Sequence, residues 1–170
     1  CRTIYLDDSF AAATVFGNIF YQTMYSIFLG CGRDNTFENN VFIDSHSAMH
    51  IDSRALGWQK PHIDGRLREV KAKGTLRGIR FREPPYSTRY PRLLTLIEDE
   101  PMYPKGNVVR RNIFWPGPGE NLRRMAGGND PAETWWDHID PKIRRFIKIE
   151  DNLINVDPRF VNEKSGNFQL

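Results

Sequence analysis

A chain of 170 residues with 39% hydrophobic and 12% aromatic content holds enough apolar material for one folded domain, which excludes disorder as the default. Lys and Arg number 24 against 21 Asp and Glu, a net charge of +3, so the basic pI marks no committed nucleic-acid surface. No apolar run approaches the roughly 20 residues of a transmembrane segment, and no basic, apolar, small-residue order at the start marks a signal peptide.

Strand-like sequence begins at once, at Thr3 to Leu6, with no initiator Met. That start predicts upstream coils of the same protein rather than a lipid-anchored Cys1 on a flexible tether. Cys1 and Cys31 can form one bridge in an oxidising compartment, but the pair is neither a disulfide framework nor a zinc signature. Asn-containing phrases then recur: Thr14-Val15-Phe16-Gly17-Asn18-Ile19-Phe20 returns 22 residues later as Thr36-Phe37-Glu38-Asn39-Asn40-Val41-Phe42. Val108 to Phe114 and Lys148 to Ile154 repeat it. A second set, Ile4-Tyr5-Leu6-Asp7, Ile27-Phe28-Leu29-Gly30 and Met49-His50-Ile51-Asp52, steps by 23 and 22.

Alternating short runs rich in β-branched and aromatic residues, bounded by Gly, Asn and Asp, read as strands. A period near 22 with several strands per repeat is a solenoid signature, because one coil cannot bury its apolar side alone. Parallel stacking places like strands about 4.8 Å apart. Asn18, Asn40, Asn112 and Asn152 then share one corner as a structural ladder, where amides bond to backbone above and below.

From 59 to 104 the period disappears into a charged stretch, followed by Glu83-Pro84-Pro85-Tyr86-Ser87-Thr88-Arg89-Tyr90; Leu93 to Glu98 reads as a short helix. An insertion of this length is too large for an ordinary turn and is usually a lid, a binding wall or a disordered segment. Tyr86, Arg89 and Tyr90 favour a binding wall, and the tyrosines can equally anchor the insertion to the solenoid. A second insertion, 115–145, contains Trp135-Trp136-Asp137-His138, whose adjacent indoles cannot both face inward on a strand.

Gly32-Arg33-Asp34-Asn35-Thr36-Phe37-Glu38-Asn39-Asn40-Val41-Phe42, followed by His50-Ile51-Asp52-Ser53-Arg54 and Trp58, resembles bacterial β-helix proteins related to glycoside hydrolase family 141. Asp157-Pro158-Arg159-Phe160-Val161 with Gly166-Asn167-Phe168-Gln169-Leu170 resembles the segment that closes such helices. The likeness covers residues 1–58, 104–114 and 146–170. It implies an all-β, right-handed parallel β-helix, one domain over 1–170 whose closing segment is 152–170. It further implies hydrolysis of glycosidic bonds in a plant or microbial polysaccharide, by a bacterial protein that is secreted, periplasmic or on the cell surface. The coil pattern occurs across many chemistries, so it specifies fold more than reaction.

Alternation turns Ile4, Leu6, Ile27, Leu29, Met49 and Ile51 inward. Two ladders then face outward: Tyr5, Phe28, His50 and Asp7, Gly30, Asp52. Asp7 and Asp52 stand two coils apart, about 9–10 Å between backbones, with a notch at Gly30. Carboxylates about 6.5–9.5 Å apart suit an inverting glycosidase. Asp52 is the candidate acid, its pKa raised, and Asp7 the base, with Asp8 its rival. The competing reading is that these aspartates end strands and cap turns. Tyr5, Phe28 and Trp58 offer faces to sugar rings, and His50, Arg33 and Arg54 can bind hydroxyl or carboxylate groups, although Arg33 can instead pair with Asp34.

Two alternatives stand beside hydrolysis: a polysaccharide lyase on a uronic-acid glycan, using His50 and Arg54, and a non-catalytic carbohydrate-binding β-helix. His46, His50, His62 and His138 lack paired metal-ligand spacing, and Gly127-Gly128-Asn129-Asp130 lacks the context of a phosphate loop. No metal, cofactor or nucleic-acid partner is expected.

Overall fold

In the computed structural model, residues 2–115 and 143–170 are described. Cys1, and with it the possible bridge to Cys31, lies outside them, as do Trp135, Trp136 and His138. The first turn of chain lays down β1 (Arg2–Leu6), β2 (Thr14–Phe16) and β3 (Ile19–Tyr21); the second lays down β4 (Tyr25–Leu29), β5 (Thr36–Glu38) and β6 (Val41–Ile43). The third begins with β7 (Ser47–Ile51), is interrupted by α1 (Lys60–Lys73) and α2 (Tyr86–Arg89), and resumes with β8 (Asn107–Arg110) and β9 (Ile113–Trp115). β10 (Ile147–Glu150) and β11 (Leu153–Ile154) follow.

These strands form three wholly parallel sheets, ordered β1-β4-β7, β10-β8-β5-β2 and β11-β9-β6-β3. Each coil contributes to every sheet in turn, except that β10 and β11 have no first-sheet companion among the described residues. The chain is thus mostly β, a solenoid-like stack with few helices, and no helix among the described residues is long and apolar enough to cross a membrane.

Register follows the repeats. Ile4 pairs with Ile27 and Ile27 with Met49; Leu6 pairs with Leu29 and Leu29 with Ile51. Ile27, Leu29, Met49 and Ile51 are fully buried. In the third sheet the inward rings of Phe20, Phe42 and Phe114 stack at centroid distances of 4.9 and 4.7 Å, nearly parallel. Stacked coils bring identical rings face to face, so one residue type repeated at the period builds a continuous apolar column.

The asparagine ladder runs along the corner between the second and third sheets. Asn40 Oδ1 accepts from the backbone N–H and side-chain amide of Asn18; Asn112 does the same for Asn40, and Asn152 for Asn112. Each Nδ2 of Asn40, Asn112 and Asn152 also donates to a carbonyl, of Val15, Phe37 and Val109 respectively. The left-handed backbone at this corner falls one residue earlier, at Gly17, Asn39, Arg111 and Asp151. The ladder amides satisfy the turn; their neighbours make it. A second ladder, in which Asn107 Oδ1 accepts from both Asn35 nitrogens and Asn35 Oδ1 from Ala13 N–H, fixes the entry to the second sheet.

The first insertion is not all loop. α1 starts at a proline in its first turn, ends on left-handed Gly74 and buries Val70; Ile63, Leu67 and Val70 recur at helical spacing. Leu93 to Glu98 is not a helix: a 3-10 turn spans Pro91–Leu94 and irregular turns follow. The end of the chain runs back beside the third sheet. Phe168 lies 5.0 Å from the ring of Tyr21 on the first coil and 5.4 Å from Phe160, and Trp115 Nε1 donates to Glu163 at 3.2 Å.

Candidate functional site

The outward row of the first sheet is an aromatic ladder. Tyr5 meets Phe28 edge-on at 4.9 Å, and His50 stacks on Phe28 at 4.2 Å with an interplanar angle of 13°. Phe28 is only 7% exposed, against 45% for Tyr5. It is therefore the middle of a stack, sheltered by its neighbours and by the Arg2 guanidinium 4.4 Å from its centroid, and cannot serve as an open platform for a sugar ring. Tyr25 joins the group, edge-on to Phe28 and His50. Strict alternation from Ile27 assigns Tyr25 to the other face, so sequence reasoning passes over it.

Beyond the rings, the notch at Gly30 is filled. A side chain at Gly30 would begin 2.6 Å from Arg54 Cζ, so the missing Cβ admits a guanidinium instead of water. Arg54 Nε and Nη2 clamp both oxygens of Asp52 at 2.8–3.0 Å. Its Nη1 donates to Asp7 Oδ1 at 2.7 Å and to Asp8 Oδ1 at 3.1 Å. The Arg54 side chain is 8% exposed while that of Asp7 is 47% exposed. One buried cation thus gathers three carboxylates from two coils. Gln59, just before α1, donates to Asp8 at 2.5 Å, and exposed Trp58 lies 5.8 Å from Arg54 Cζ.

The electrostatics follow from that geometry. Burial opposes ionisation of Asp52, but hydrogen bonds from His50 and Arg54 outweigh it and bring the carboxyl down to about 2. Asp7 is also lowered, first by hydrogen bonding to the Tyr5 hydroxyl, against desolvation, and further by the Asp8 N–H and Arg54. Arg54 is raised, chiefly by its bonds to Asp52. The expected acid with a raised pKa is therefore not found at Asp52: the hydrogen bond from His50 and the bidentate Arg54 guanidinium hold it ionised. What remains is an exposed, ionised Asp7 and a half-buried His50 whose Nε2 lies 3.6 Å from Asp52 Oδ2.

The other candidates lie elsewhere. Arg33 is buried under the first insertion, with Nε on Asp34 and its terminal nitrogens on the Asp99 carbonyl and carboxylate at 2.9 and 2.6 Å. It is an anchor, not a sugar ligand. Tyr86 lines an apolar cavity within the insertion alongside Phe81, Leu93 and Leu96, while Tyr90 is exposed beneath the Arg89 guanidinium. Among the described residues no hydrogen bond or ring contact joins Tyr86, Arg89 or Tyr90 to the Asp7–Asp52 face. Asn18, Asn40, Asn112 and Asn152 sit in the corner ladder, away from this face.

Comparison with protein-family models, curated proteins and solved structures returned no match.

Proposed function

We propose that the chain folds as a right-handed parallel β-helix that hydrolyses glycosidic bonds in a plant or microbial polysaccharide. The observation that carries this reading is the outward face of the first sheet, where the Tyr5–Phe28–His50 ladder runs directly into the Asp7, Asp8 and Asp52 carboxylates. Rings beside carboxylates are what a sugar chain and its cleavage require. Asp7, ionised and exposed, is the base that takes a proton from water. His50, whose Nε2 lies 3.6 Å from Asp52 Oδ2, donates a proton to the leaving oxygen. Direct displacement by water inverts the anomeric centre.

Reducing-end release from a polysaccharide panel tests the reading, with NMR of the first-formed anomer. Turnover lost in Asp7→Asn and His50→Ala, with folding retained, supports it; turnover unchanged in both sinks it. A non-catalytic binding β-helix is favoured by one observation, the engagement of all three carboxylates by Arg54, and predicts binding without product. A lyase is less well supported: the guanidinium is raised and fully engaged, leaving no free cation or base at that position. Its signature is an unsaturated product that absorbs in the ultraviolet.

A further inference from the structure

The modest net charge of the chain conceals a strong segregation. Residues 59–95 hold ten Lys and Arg against three Asp and Glu, a net +7, and the remainder holds fourteen against eighteen, a net −4. α1 buries Val70 alone and places exposed Lys60, Arg68 and Lys71 with half-buried Asp64 along one stripe, at spacings of four, four and three. A helix so polar is not held by a broad apolar face. Lys60 is matched by Asp64, Arg66 by Glu69, and Arg92 by Asp34. Arg68, Lys71, Lys73 and Arg77 are exposed and form no ion pair among the described residues. Four unneutralised cations within ten residues repel one another, a cost relieved by a polyanion.

The stripe starts at the candidate site. Gln59 bonds Asp8 and Trp58 lies against Arg54, so the exposed Trp58 indole is followed within two residues by the first cation of α1. We propose that the insertion is a cationic arm that holds an anionic polysaccharide, carboxylated or sulfated, as it leaves the Tyr5–Asp7 face past Trp58. The inference rests on the glycan reading of that face for the nature of the polymer. It adds that the polymer is charged and that specificity lies in α1 and the loop behind it.

The test uses the whole chain and affinity electrophoresis, with polygalacturonate as carboxylated probe, dextran sulfate as sulfated probe and plain dextran as neutral probe. The R68Q/K71Q/K73Q/R77Q variant should lose on the order of tenfold in affinity for the charged polymers, with dextran unaffected. In the unsubstituted chain this binding should weaken as salt rises through about 0.3 M. R159Q/K164Q, placed on the closing segment, should leave polyanion binding unchanged, and far-ultraviolet circular dichroism reports folding of both variants. The preferred polyanion tells carboxylate from sulfate. Dextran bound as tightly as the charged polymers, equal binding by the fourfold variant, or tighter binding of duplex DNA or anionic vesicles overturns the inference. Turnover of a neutral polymer, untouched by the fourfold variant, sinks the arm and spares the hydrolase reading. Salt-sensitive polyanion binding that the variant loses, with no cleavage in any assay, does the reverse.

Discussion

Asp52→Asn should flatten the acid limb of the stability profile. In the folded chain the Asp52 carboxyl is brought from 3.8 to about 2. Full conversion of that difference is roughly 2.4 kcal/mol; the side chain is 25% exposed, so screening leaves about 1–2 kcal/mol. The folded value is depressed, so the stabilisation is present in full above the unfolded pKa and is lost as pH falls from about 4 through 2. Urea unfolding at a series of pH values measures it. Both proteins should weaken in acid, because Asp7, Glu38 and Asp99 are also lowered. The unsubstituted chain should lose about 1–2 kcal/mol more than the variant, a difference of roughly 0.5–1 M in urea midpoint. Parallel acid limbs would refute the claim that the bonds from His50 and Arg54 hold Asp52 ionised.

Gly30→Ala places a methyl carbon 2.6 Å from Arg54 Cζ, closer than the two carbons can sit, so the guanidinium must shift out of the notch; carbon-detected NMR should show Asp52 titrating nearer 3.8 than 2, and an unchanged titration refutes the packing. Asn40→Ala removes the acceptor for two Asn18 nitrogens and the donor to the Val15 and Glu38 carbonyls; denaturant unfolding should register a loss of about 3 kcal/mol or more. Phe42→Ala empties the middle of the Phe20–Phe42–Phe114 column and should cost about 3–5 kcal/mol, whereas a loss under about 1 kcal/mol would mean that the column collapses onto the gap.

Much of the scaffold was legible because a solenoid repeats its physics. Two sets of phrases at one period assign strands to sheets, and pairing Ile4 with Ile27 and Ile27 with Met49 needs only alternation and a constant step. The ladder Asn18–Asn40–Asn112–Asn152 was readable on the same ground. The Asn35–Asn107 ladder was not, because Ala13 and Ile147 hold the equivalent places in the outer coils and the repeat shows only twice. α1 was hidden by its charge: Ile63, Leu67 and Val70 stand at helical spacing between Pro61 and Gly74, yet six of the nine positions between and beyond them carry charge.

The site was half legible for a related reason. Alternation put Tyr5, Phe28 and His50 in one row and Asp7, Gly30 and Asp52 in another, and the register agrees. Arg54 belongs to neither row: it follows the strand and swings back across two coils, which strand periodicity does not describe. Its arrival changes the chemistry more than any residue on the strands. A gap sized for water becomes a guanidinium, and a prospective acid becomes a fixed anion. The cluster of three carboxylates and one guanidinium keeps excess negative charge beside the Tyr5 ring, which on the proposed reading stabilises positive charge developing at a sugar carbon. An anionic polymer would be repelled by that same excess, so a cation-rich segment just past Trp58 is where such a polymer has to be held.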